Sequence, residues 1–237
     1  MPSPAEKKTS NEPRESSDDH VFQQMYNAIL VHDLPPGTKL KEEQLAKIFG
    51  VGRTRLRKTL FRLADVKVLT FVPNKGAFVS EPTAEEAREV FDARRVVEGH
   101  IVRTLAHAGD AAISEKLDRQ LAKEREARTN GDLPTVIREC GNFHLVLADL
   151  AGLAVLGEFL HELVSRTSLI CMLYERGRLE NCEFEEHQDL VKAIAEGRGD
   201  AAAGLMEAHL AGIENRLDLS PKEKKKMIDL NSVLSAK

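Results

Sequence analysis

Residues 40–80 read LKEEQLAKIFGVGRTRLRKTLFRLADVKVLTFVPNKGAFVS, and this stretch decides the fold. Leu45, Ile48 and Phe49 give a short helix one apolar face, and Gly50 ends it. A tight turn through Val51 and Gly52 leads into a second helix from Arg53. There Leu56, Leu60 and Leu63 recur at i, i+4 and i+7, a single buried stripe. Arg53, Thr54, Arg55, Arg57, Lys58 and Arg62 fill the rest of that helix, so its outer side is almost wholly cationic. VLTFV and GAFV follow as short β-branched and aromatic runs joined through Pro73-Asn74-Lys75-Gly76, a hairpin with a basic tip. Helix, turn, basic helix and hairpin predict a winged helix-turn-helix whose second helix enters a DNA major groove.

These residues resemble the GntR family of bacterial transcription regulators. VGRTRLRKTL stands where the family reads close to VSRTPVREAL, and NKGAFV where it reads close to NRGAFV. The match runs over both helices and the wing. The resemblance implies that Arg53, Thr54, Arg55 and Arg57 lie at the DNA, with Gly76 letting the wing backbone approach it. Two departures stand out. Gly52 replaces a hydroxyl residue that caps the helix, a change that costs a few tenths of a kcal/mol as a cap. Arg55 replaces the usual proline and adds a charge to the reading face.

The formal net charge of the 237 residues is −4, which alone would argue against a nucleic-acid partner. The average hides an asymmetry. Residues 20–80 carry ten Lys and Arg against four acids, a net of +6, and the remainder carries 24 against 34, a net of −10. A cationic DNA reader joined to an acidic body fits that split. Three cysteines, no apolar run near ~18 residues and no signal-like start point to a reducing cytoplasm and no membrane span.

Residues 1–19 are polar and rich in Pro, Ser and Glu, and predict a disordered tail. Val21, Met25, Ala28 and Ile29 then mark a support helix that closes the DNA-reading domain at 20–80. From Pro82 the pattern turns wholly helical. Thr83 with Glu86 forms a capping-box signature, and Val90, Phe91, Arg94, Val97, Ile101 and Leu105 set an inner stripe. Residues 81–218 predict an all-helical antiparallel bundle of about six helices, and residues 219–237 a basic tail containing KEKKK. The chain is therefore expected to be mainly α.

Three histidines of this bundle fall on apolar faces: His144, His187 and His209. A single inward histidine is usually a satisfied core residue, but three on separate helices suit a metal centre in a bundle core. Here the C-terminal half resembles the FCD ligand-binding domain of the FadR-like subgroup. That domain holds a divalent metal through an Asp, a His four residues later, and a His on each of the last two helices. The three histidines match, while Cys140 occupies the place of the Asp. A thiolate there would bias the site towards zinc, with nickel or manganese as other ions it could take; equally open is a shell that leaves Cys140 out and is completed by water or an effector carboxylate. The resemblance also implies a small carboxylate effector beside the metal. Arg94 and Arg166, both among apolar neighbours, are candidate partners for it, although the stronger reading of each is a structural ion pair with Glu98, Glu162 or another acid. Cys171 and Cys182 read as core and loop thiols.

The expected function is a homodimeric, effector-responsive regulator, in the main a repressor, each DNA domain reading half of a palindrome. A metal-dependent enzyme built on the same three histidines is the competing reading, since three His with an open position is also a catalytic zinc pattern. No acid stands out as its general base, and an enzyme has no need of the basic winged helix.

Overall fold

The computed structural model describes residues 17–175 and 184–219. Most of both expected tails, and Cys182, lie outside the described residues. The first helix, α1 (Ser17–Leu30), starts before the composition predicted, so residues 17–19 belong to the fold and not to the tail. Asp19 accounts for part of this. Its carboxylate accepts a bond from Arg62 Nη1 at 2.9 Å across the domain, and an acid in a helix's first turn suits the helix dipole.

After β1 (Lys39–Leu40), the short α2 (Glu42–Phe49) ends at Gly50, whose φ of 63° lies in the left-handed region where a side chain is strained. That tight exit aims α3 (Arg53–Asp65), which buries Leu56, Thr59, Leu60 and Leu63. The hairpin β2 (Leu69–Val72) and β3 (Gly76–Val79) turns through Pro73 and Asn74. Lys75 N donates to Val72 O at 3.0 Å and Asn74 has φ 60°, the geometry of a type II turn. β1 pairs with β3, giving a three-stranded antiparallel sheet in the order β1-β3-β2 with Leu40 opposite Ala77. Two residues are too short for an alternating pattern, so β1 carried no signal in the sequence.

Six helices follow among the described residues: α4 (Ala84–Ala108), α5 (Ala111–Thr129), α6 (Leu133–Leu150), α7 (Ala154–Tyr174), α8 (Phe184–Ala195) and α9 (Gly199–Asn215). The capping box at the start of α4 is formed on both sides: Glu86 N donates to Thr83 Oγ1 at 3.1 Å, and Thr83 N to Glu86 Oε2 at 2.8 Å. The bundle core gathers Phe91, Ile101, Leu105, Phe143, Met206 and Leu210. A second core fills the winged domain, and α7 contributes to it: Leu169 is wholly buried among the side chains of that domain. No described helix is long and apolar enough to cross a membrane.

Two substitutions separate packing from capping in α3. Leu60→Ala empties a fully buried position and is expected to cost about 2–5 kcal/mol. Gly52 sits in an extended conformation at the N-cap with no side-chain bond and open space around it. Gly52→Ser is therefore expected to stabilise by a few tenths of a kcal/mol. Chemical denaturation of the two variants checks both signs.

Candidate DNA-reading face and metal centre

The Leu56–Leu60–Leu63 stripe pins α3 against the domain core and leaves Arg53, Thr54, Arg55 and Arg57 exposed on the far side. Gly76, at φ 95°, is exposed at the start of β3. Glu43 of α2 lies 3.6 Å from both Arg53 and Lys47, a loose arrangement among solvated groups. Arg57 stacks over Phe61, which itself sits against Phe71 of the wing at 4.7 Å between ring centroids. Phe61 and Phe71 thus join the basic helix to the wing.

In the bundle, α6, α8 and α9 bring His144, His187 and His209 together, all buried. One ring nitrogen from each lies within 4.8 Å of the others. The outer nitrogens are occupied. His144 Nδ1 is 2.5 Å from Glu98 Oε2 of α4, His187 Nδ1 is 2.8 Å from Glu124 Oε2 of α5, and His209 Nδ1 is 2.5 Å from Glu186 Oε2 of α8. Each imidazole is thereby oriented with Nε2 facing inward, and His187 Nε2 and His209 Nε2 are 3.4 Å apart. Phe143 lies flat on His187 at 4.0 Å and fixes the plane of that ring. Carboxylate-backed imidazoles converging through the opposite nitrogen are the donor arrangement a divalent ion requires, so the residues present fit a metal.

The charge states follow from burial. Desolvation pulls His144 down to about 3 despite the neighbouring Glu98 carboxylate, so the ring is neutral and its Nε2 is a donor to a metal at pH 7. His187 is pushed well below its ordinary value, by burial first and by His209 next. Burial alone would raise Glu98, but Arg94 and His144 outweigh it and hold the carboxyl at about 2. Glu124 behaves in the opposite way. Its burial outweighs the pull of Arg128 and His209 and raises it to about 8, and its Oε1 has no hydrogen-bond partner.

The remaining sequence candidates separate here. Cys140 Sγ is not one of the converging donors; it lies 4.0 Å from Glu124 Oε2 and 3.8 Å from Arg128 Nη2. Arg94 is 2% exposed, donates through Nε to Glu98 Oε1 at 2.7 Å and through Nη1 to Thr167 Oγ1 at 3.3 Å, and keeps Nη2 without a partner. The ion-pair reading and the cavity reading therefore both apply to it. Arg166 does not reach the site. It bonds Glu162 at 3.3 Å and Glu86 at 3.2 Å on the outer side of α7, because one helical position turns it away from the face that Thr167 shares with Arg94.

A cavity of about 480 Å³ adjoins the histidines, lined by Arg94, His144 and His209 and by apolar side chains such as Val136, Leu145 and Val164. Cys140 and Cys171 also line it. The carboxylates behind the rings were missed in the sequence, although Glu124 falls on the same helical face as Leu117 and Leu121, where an acid is out of place.

The comparisons with known proteins agree with both halves of the chain. Residues 18–79 match the gntR family of bacterial regulatory proteins, and residues 89–212 match the FCD domain. The chain is 24% identical to the HTH-type transcriptional repressor RspR of Escherichia coli over 198 residues, covering 81% of this chain and 87% of that protein. It is also 24% identical to the HTH-type transcriptional regulator LutR of Bacillus subtilis, over 78% of this chain and 94% of that one. A GntR transcriptional regulator of Rhodococcus sp. RHA1 superposes with a TM-score of 0.74 at 25% identity, covering 85% of this chain and 97% of its own. All three are named as transcription regulators, which agrees with the DNA-reading half of the chain. The chain is a DNA-binding transcription regulator of the GntR family, of the subgroup that carries an FCD domain.

Proposed function

We propose that this regulator is a cytoplasmic homodimer, acting as a repressor, that reads a palindromic operator and is controlled by a small organic acid bound beside a zinc ion in the bundle. The observation that carries the effector half is the trio of glutamate-backed imidazoles, two of which, His144 and His209, border the cavity that Arg94 also lines. His144, His187 and His209 would hold the ion, which supplies a Lewis-acidic positive centre for an anionic ligand. Arg94 would take a carboxylate of that ligand through Nη2. Cys140 lies one turn before His144 and enters the shell only if its side chain leaves Glu124 and Arg128. On the other domain, Arg53, Thr54, Arg55 and Arg57 would meet the major groove and Gly76 the adjoining backbone. Two copies supply the two half-sites that affinity over non-specific DNA requires.

Arg57→Ala is expected to cost about 1–3 kcal/mol on operator sites selected from genomic DNA, and much less on random duplexes. Equal weakening on both would reduce Arg57 to a phosphate contact. Sedimentation of the full chain at micromolar concentration, where a monomer would contradict the layout, tests the dimer.

Elemental analysis and zinc titration test the centre itself, with about one ion per chain expected. Cys140→Ser is expected to change zinc affinity little, whereas His187→Ala removes a ligand and should lower it by orders of magnitude. Proton release gives an independent reading. With Glu124 raised to about 8, its carboxyl is protonated at pH 7 and donates to His187 Nδ1, leaving the ring proton on Nε2. Ligation needs a bare Nε2, so the ring proton moves to Nδ1 and the carboxyl proton is lost. Calorimetry at pH 7 in buffers of different ionisation enthalpy should show about one proton released per zinc, falling towards zero above pH 9. In Glu124→Gln that release should disappear.

A further inference from the structure

The winged domain and the bundle meet along α1 and α7, and the polar bonds across that contact fall within two turns of α7, from His161 to Ser168. Ser165 Oγ donates to His161 O at 2.6 Å, so the Tyr26 hydroxyl of α1, 2.6 Å away, donates to Ser165 and accepts from His161 Nε2 at 3.2 Å. Ser168 Oγ donates to Leu30 O at 2.8 Å and accepts from His32 Nε2 at 3.1 Å. Between these two latches sits Thr167, whose hydroxyl donates to Leu163 O at 2.8 Å and accepts from Arg94 Nη1. The other side of Arg94 binds Glu98, and Glu98 holds His144. Bonded contacts therefore run from an imidazole of the histidine cluster through Glu98, Arg94 and Thr167 to the turn of α7 that grips α1.

The cavity supplies a second, independent observation. Besides Arg94, His144 and His209 it is lined by Tyr26, Asn27 and His32, which belong to the DNA-reading half of the chain. A ligand lying there touches both halves at once. Arg94 stands at the middle of the chain of contacts with its remaining nitrogen, Nη2, unpartnered.

We propose that the Ser165–Ser168 turn of α7 couples the metal and effector centre to the DNA-reading domain, with Tyr26 as the receiving residue and a carboxylate ligand entering at Arg94. This rests on the reading of the three histidines as a metal site. Occupancy at His144 shifts Glu98 and Arg94, Arg94 changes its hold on Thr167, and the turn resets the Tyr26 and His32 latches. A buried network of this kind transmits because each member has few alternative partners. The latches fix how the winged domain sits on the bundle, and so the spacing of the reading helices in an assembled regulator.

The chain contains only two tyrosines, Tyr26 and Tyr174, so 3-fluorotyrosine labelling gives two fluorine resonances, assigned with Tyr174→Phe. Zinc alone is the probe, titrated into the full-length protein. The expected result is a shift of the Tyr26 resonance that saturates with zinc binding. Thr167→Val keeps the side-chain shape but removes the acceptor for Arg94, and Ser165→Ala removes the partner of Tyr26. Both variants are expected to bind zinc within about twofold of the parent while losing most of the shift. A Tyr26 resonance that stays still as zinc binds, or that moves undiminished in both variants, overturns the coupling. Failure of the parent to take up zinc removes the metal reading instead, and the coupling loses its input with it.

Discussion

Ionisable groups buried in the middle of a helical bundle must compensate one another, and this constraint organises the second half of the chain. Arg94, Glu98, Glu124, His144, His187 and His209 are all almost inaccessible to water. A buried charge without a partner is severely destabilising, so each of these groups is tied to another. Glu98 is the central case, with one oxygen on Arg94 and the other on His144. The bonds that stabilise the ionised carboxylate are the same bonds that aim an imidazole inward. Electrostatic necessity and site geometry thus have one solution. Glu124, lacking a cation in hydrogen-bond contact, meets the same constraint by staying protonated.

The winged domain follows a different logic. Its cationic helix face needs no internal compensation because it faces solvent, and the Leu stripe beneath it carries the packing. Gly50 sets the angle between α2 and α3 through a conformation other residues avoid, and Asn74 does similar work at the wing. The polar demands of this domain are local, apart from those where α1 meets α7.

What could be read in the sequence divides along these lines. The reading helix, wing, capping box and the three inward histidines all announce themselves through short periodic patterns, and residues of one helix reveal their shared face. The carboxylates that orient the rings lie 46, 63 and 23 residues from their histidines, and no local pattern links such partners. The same distance effect explains Arg94 and Arg166, which look alike in sequence. Only the packing of α4 on α7 distinguishes the arginine aimed at the cavity from the one held by Glu86 and Glu162. Residues 17–19 were misplaced for a related reason, since Arg62, 43 residues from Asp19, helps to hold them.

Because Tyr26, Asn27 and His32 form part of the cavity wall, the two halves of this regulator are not interchangeable modules. Grafting another DNA-reading domain onto the bundle would change the wall of that cavity along with the DNA-reading face. Mutational drift in α1 would likewise be constrained twice, by the wing and core it supports and by the cavity it helps to line. Chains that share the bundle but diverge in the first helix would then enclose cavities of different shape, even with every histidine and its glutamate retained.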